Sequence, residues 1–237
     1  MKQVRTIGEE LAKLPQINAL ICNAGRGVVV YNESIDGIDT LMQVNVFAQN
    51  LIVGMLLSVL FRTPNSRIVL QSSELHRMAP SDVQFASLAE INRDIGPSYL
   101  YSRSKLAQVL TICYLVKQLG EELKAGPTFI NATHPGAITT DQPRQAEEAY
   151  GILGKIGTTI SRPSMNDPVK QGCRPALYAA TSEEVVEQGI HGVYIVPDKK
   201  FTEPSSQALD DALAENLWKL NEKVLREKVG DLPFESI

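Results

Sequence analysis

Cysteine is scarce. Cys22, Cys113 and Cys173 are the only three in 237 residues, far apart and odd in number. No CxxC or Cys/His ligand spacing occurs, which argues against a disulfide scaffold and a bound metal and makes a reducing, cytosolic setting the expectation. An excess of charge is also lacking. The 23 basic and 27 acidic residues leave a net charge of −4, without the basic surplus that a nucleic-acid binder carries. The N-terminus, Met1-Lys2-Gln3-Val4-Arg5, leads into Glu9, Glu10 and Lys13 and holds neither an apolar signal core nor an Arg/Ser-rich transit pattern. One stretch lacks charge altogether: between Asp39 and Arg62 lie 22 uncharged residues, enough to cross a bilayer. Gln43, Asn45, Gln49, Asn50 and Ser58 interrupt it, and polar groups facing lipid are costly. The window therefore reads as a buried helix. Its apolar content exceeds what one covered face requires, which makes a homodimer the expectation and a membrane span not.

What is present is ordinary globular composition, 43% apolar and 21% charged, at a length that suits one α/β domain over residues 1–237. Helical and strand patterns alternate. Residues 2–14 space Val4, Ile7, Leu11 and Leu14 as an amphipathic helix stopped by Pro15. Ile17–Cys22 reads as a short buried strand, 38–61 as a long helix, and Arg67–Gln71 as a second buried strand. A polar loop with a short helix near 87–94 follows, then a long helix over 99–124. Thr128–Thr133 is a third strand and Gly192–Val196 a fourth. Helices near 167–181 and 206–228 complete the pattern, and residues 136–166 have the mixed character of a lid. Strands separated by helices predict a doubly wound parallel sheet with helices on both faces. In such a sheet ligands sit beyond the carboxyl ends of the strands, at Asn23-Ala24-Gly25, Ser72-Ser73 and His134-Pro135-Gly136.

Candidate chemistry clusters at those ends. Tyr101 and Lys105 lie four apart on one helix face. A lysine ammonium beside a phenol favours the phenolate, so a tyrosine so placed can serve as general acid or base. Tyr99 has Arg103 at the same spacing, but an arginine does not readily titrate. Ser73, just past a buried strand, can donate a hydrogen bond to a substrate oxygen. Asn45 is an amide inside an apolar helix and needs partners. Gly25 lets a ligand approach the backbone. Each signal alone is weak, and a surface pair, a strand cap or a plain turn would explain it as well.

Taken in order, NAG at 23–25, Asn45 within VNV, RIVLQSS at 67–73, YSRSK at 101–105 and HPGAITT at 134–140 resemble the short-chain dehydrogenase/reductase family, and within it the retinol-dehydrogenase and WW-domain-oxidoreductase branch. The resemblance implies a Rossmann-like fold and hydride transfer between NADP(H), with NAD as the other option, and a small carbonyl or alcohol. It implies that Tyr101 exchanges a proton with the substrate oxygen, that Lys105 tunes Tyr101 and binds the nicotinamide ribose, and that Ser73 orients the substrate. It gives Asn45 a water in the proton relay and Asn23 a contact near the adenosine ribose, and it has Ile138 and Thr140 face the carboxamide. The chain departs from the family in one large respect: the family's opening strand and TGxxxGxG turn, which receives the pyrophosphate at a helix N-terminus, is absent from these 237 residues. The expectation is a domain without its first βαβαβ segment, with a weakened cofactor site and an uncovered edge on the strand at 17–22. Two other functions fit the same residues: a cofactor-independent isomerase, dehydratase or cyclase that reuses Tyr101, Lys105 and Ser73, or a non-catalytic interaction chain.

Overall fold

The computed structural model describes residues 1–125, 128–136, 167–232 and 234. Helix α1 (Lys2–Leu11) leads to strand β1 (Ala19–Cys22). Helix α2 (Thr40–Arg62) contains one π turn, Gln43–Phe47. Strand β2 (Ser66–Gln71) is followed by a 3-10 turn at Glu74–Met78 and by α3 (Leu88–Ile91). Helix α4 (Pro97–Gln118) and α5 (Gly120–Ala125) precede β3 (Thr128–Thr133). Helices α6 (Arg174–Thr181) and α7 (Glu183–Glu187) precede β4 (Tyr194–Val196) and β5 (Lys200–Thr202). Helix α8 (Asp211–Val229) comes last.

The sheet runs β1-β2-β3-β4-β5. The first four strands are parallel, and β5 pairs antiparallel with β4. A parallel sheet of four strands was expected, so β5 corrects that reading. Asp198 and Lys199, both at positive φ, reverse the chain directly after β4. The strand they launch is only three residues long, all of them exposed, too short for an apolar pattern to mark it.

Alternate residues of a strand face opposite sides, and two cores form accordingly. Ile68, Leu70, Ile130 and Ala132 face α2 and α4, with α8 packed behind α4. Val69, Phe129 and Ile195 face Tyr178, Ala179 and Val185 of α6 and α7. Strands β2 and β3 are buried along their whole length. Strand β1 is not: Ala19 and Ile21, on one face, are exposed, and among the described residues β1 has a partner on one edge only. This corrects its reading as a buried strand and leaves the open edge that was expected.

Helix α2 carries the uncharged window. Asp39 caps it, accepting from the backbone N–H of Leu41 at 3.3 Å and of Met42 at 3.2 Å. By length and composition α2 could cross a membrane, yet here it is mostly buried within its own chain, packed by α1, the sheet and α4. Helix α8 in turn covers α4. Most of the uncharged window is therefore buried inside the chain.

Candidate active site

The carboxyl ends of β1 and β2 meet the polar faces of α2 and α4. Tyr101 and Lys105 are both buried on α4, and Lys105 Nζ lies 5.5 Å from the centre of the Tyr101 ring. The ammonium donates to the Gln71 carbonyl at 2.8 Å and to Gln108 Oε1 at 2.9 Å. Among the described residues two of its three N–H groups are thereby used, which leaves one that can meet a ligand. Burial pulls the Lys105 pKa down to about 7, so its charge depends on the acceptors around it. Tyr99, by contrast, is exposed and borders a hollow with Met78, Pro80 and Ile95.

Asn45 links three elements. Its Oδ1 accepts from Arg26 N–H at 2.8 Å, and its Nδ2 donates to the Arg26 carbonyl at 3.0 Å and to Ser104 Oγ at 2.9 Å. Ser104 Oγ donates in turn to the Tyr101 carbonyl at 2.7 Å. Asn45 therefore fastens the loop after β1 to the helix that carries Tyr101. Gly25 sits in that loop, where a Cβ would stand 2.9 Å from Asn45 Oδ1 and 3.8 Å from Lys105 Nζ. A side chain at this position would collide with Asn45 and close the approach to the ammonium. Asn23 is exposed at the mouth of the same loop.

Ser72 and Ser73 part company. Ser72 is buried, and its hydroxyl donates to the Lys105 carbonyl at 2.8 Å, joining β2 to α4. Ser73 is half-buried and caps the 3-10 turn, its Oγ accepting from Leu75 N–H at 3.3 Å. Its carbonyl meets His76 Nδ1 at 2.8 Å, and His76 Nε2 accepts from Ser205 N–H at 3.0 Å. Because Nε2 is an acceptor, Nδ1 carries the proton. Desolvation holds His76 below its ordinary pKa, which keeps that neutral tautomer. The ring stands edge-on to Tyr194, 4.9 Å between centres, and the buried Tyr194 hydroxyl has no hydrogen-bond partner among the described residues.

Ile138 and Thr140 lie outside the described residues. Gln49, Gln108, His76 and Arg103 were missed by the sequence reading. Two of them had a signal: Gln49 stands four residues after Asn45, and Gln108 three after Lys105, both polar in apolar helices. Cys22, buried at the end of β1 with its thiol pushed up to about 12 by burial, stays protonated and is no nucleophile.

No family model matches the chain. Among curated proteins, the Neurospora crassa oxidoreductase bli-4, described as mitochondrial, is 33% identical over 235 residues, covering 95% of this chain and 56% of its own length. Human retinol dehydrogenase 14 is 30% identical over 223 residues, 94% of this chain and 63% of its own. The WW domain-containing oxidoreductase of Pongo abelii is 28% identical over 224 residues, 92% and 51% respectively. The chain belongs to the short-chain dehydrogenase/reductase family. It spans about half to two thirds of the length of these members of the family. Solved structures show the same fold. An uncharacterised protein from Mycobacterium paratuberculosis gives a TM-score of 0.67 at 22% identity over 98% of this chain and 75% of its own. A complex of Pseudomonas aeruginosa RhlG with NADP gives 0.55 at 19% over 81% and 70%.

Proposed function

We propose that the chain carries the catalytic half of a short-chain oxidoreductase that transfers hydride between NADP(H), or NAD(H), and a small carbonyl or alcohol. The observation that carries this reading is the buried Tyr101–Lys105 pair with the Lys105 ammonium facing the space that Gly25 leaves open. The residues fit the nicotinamide-riboside end of a dinucleotide: the spare N–H of Lys105 suits a ribose hydroxyl, and the bare Gly25 admits one. Nothing in these 237 residues matches the family's pyrophosphate turn. When bound, the dinucleotide would supply or accept the hydride. Tyr101 holds the proton that the substrate oxygen gains or loses, Ser73 Oγ donates to that oxygen, and the Lys105 charge favours the phenolate. Asn45 holds the floor of the site in place. The cytosolic setting goes with the three free thiols. The homodimer rests on the uncharged window alone, and sedimentation at micromolar concentration tests it.

The deciding experiment is reduction of a panel of small aldehydes and ketones at millimolar NADPH. Tyr101→Phe is expected to lower kcat by roughly 10²–10⁴-fold, with Tyr99→Phe within about twofold of the parent. Tyr101→Phe turning over at the parental rate would remove Tyr101 from the chemistry and favour a binding or interaction role.

A further inference from the structure

Helices α2 and α4 face each other through amides and hydroxyls that no step of the reaction above uses. On α2, Asn45 and Gln49 lie one turn apart; on α4, Ser104 and Gln108 do the same. The four side chains pair as two rungs. In the first, Asn45 donates to Ser104. In the second, Gln108 Nε2 donates to Gln49 Oε1 at 2.7 Å. The second rung continues in both directions. Upstream, Lys105 Nζ donates to Gln108 Oε1 at 2.9 Å; downstream, Gln49 Nε2 donates to the Ala24 carbonyl at 2.8 Å. The ends of this chain set its direction. An ammonium only donates and a carbonyl only accepts, so each amide between them has one orientation. Gln49 and Gln108 are both buried, at 8% and 1% exposure. Burying two amides is costly unless they are paired, and here both are spent on joining Lys105 to the loop after β1.

We propose that Gln108 and Gln49 are positioning residues for Lys105, holding its ammonium beside Gly25 through an unbroken donor-to-acceptor chain anchored on Ala24. Gln108 presents the negative end of its amide to the ammonium, and Gln49 behind it polarises that amide further. Without them Lys105 keeps, among the described residues, only the Gln71 carbonyl, and burial drives it toward the neutral amine. The relay also makes the loop and the ammonium move together, so a ligand entering over Gly25 meets a charge already aimed. Its importance for turnover rests on the oxidoreductase reading, whereas the relay itself requires no turnover.

The test is an NMR titration of the full chain labelled with [13Cε]lysine, with the Lys105 signal assigned by its loss in Lys105→Met. In Gln108→Leu the Lys105 midpoint is expected to fall by about one pH unit, a tenfold drop in the ratio of charged to neutral lysine at a given pH. Gln49→Met, which leaves Gln108 in place, is expected to shift it the same way by less. Gln108→Glu should raise it, because a carboxylate pairs with the ammonium. If Gln108→Leu does not fold, the other two variants decide. A merely structural role would lower the melting temperature and leave the Lys105 midpoint where it was; an unmoved midpoint in Gln108→Glu, or in both neutral variants, overturns the proposal. A chain that titrates as expected but reduces no carbonyl keeps the relay and removes the oxidoreductase reading.

Discussion

His76 shows how one side chain can hold a candidate catalytic loop. It is wholly buried, binds the Ser73 carbonyl through one nitrogen and accepts Ser205 N–H through the other. Protonating Nε2 would remove that acceptor. Desolvation holds the folded-state pKa below the ordinary value of 6.5, and burial does the same for His134 and His191. The unfolded chain therefore binds more protons as the pH falls. The stability these groups contribute is complete above about pH 6.5 and is lost below it, as the pH falls toward the lowered folded values. Thermal unfolding followed from pH 7.5 to pH 5 is expected to show a falling melting temperature. His76→Phe should be less stable at pH 7.5 by roughly 1–3 kcal/mol, because Ser205 N–H loses its acceptor, and should show a shallower fall. A steeper fall in the variant would contradict the assignment of His76 as neutral.

The segment between β2 and α4 was read as a polar loop, and its order comes from two side chains. Glu90 accepts from the backbone N–H groups of Gln84, Phe85 and Ala86 at 2.8, 3.1 and 2.8 Å. These bonds keep buried Phe85 at a φ of 51°, a conformation that a bulky residue seldom adopts. Arg103 then ties the segment to α4, donating to the Ile91 carbonyl at 2.6 Å and the Glu90 carbonyl at 3.2 Å, and meets Asp39 at 3.4 Å. Desolvation outweighs the ion pair at both ends, raising Asp39 and lowering Arg103 from their ordinary values. The pair thus specifies where the segment sits more than it stabilises the fold. Arg103→Leu is expected to cost roughly 3–5 kcal/mol in urea unfolding at pH 7, since it strands Asp39 and two carbonyls. Arg103→Lys should recover only part, because a single ammonium lacks the planar fork. Full recovery by lysine would mean that charge alone matters here. In the sequence this arginine was only the partner of an irrelevant Tyr99, because its acceptors are backbone carbonyls 12 and 13 residues away.

Across the whole molecule, the sheet sets the chemistry at one end and exposes an edge at the side. Strand β1 and helix α4 bring Gly25, Tyr101 and Lys105 to the proposed nicotinamide-riboside site, but no described residue forms the family's phosphate turn. Charge-assisted hydrogen bonds contribute roughly 1.5–3 kcal/mol each. Two or three missing phosphate contacts would lower affinity by about 3–9 kcal/mol, at tenfold per 1.4 kcal/mol. These 237 residues are therefore expected to bind NADPH in the millimolar range or more weakly in a fluorescence titration. Micromolar binding would show that another loop or a second copy supplies the phosphate site.

The order and type of the elements were legible because period and punctuation are local. The short apolar stretches within 67–71 and 128–133, set between helical patterns, read as buried strands, and the spacing of Tyr101 and Lys105 puts them on one helix face in any fold that keeps that helix. Motif order was enough to place Asn45 and Gly25 beside them. Packing decided the rest. Whether Ile21 is covered depends on which elements pack on its face of the sheet, and how much of the uncharged window is buried depends on where α1 and α4 lie against it. Likewise, Gln49 and Gln108 become partners only because α2 and α4 pack side by side, 59 residues apart in the chain. Such pairings are decided by long-range geometry, which no local pattern of residues encodes.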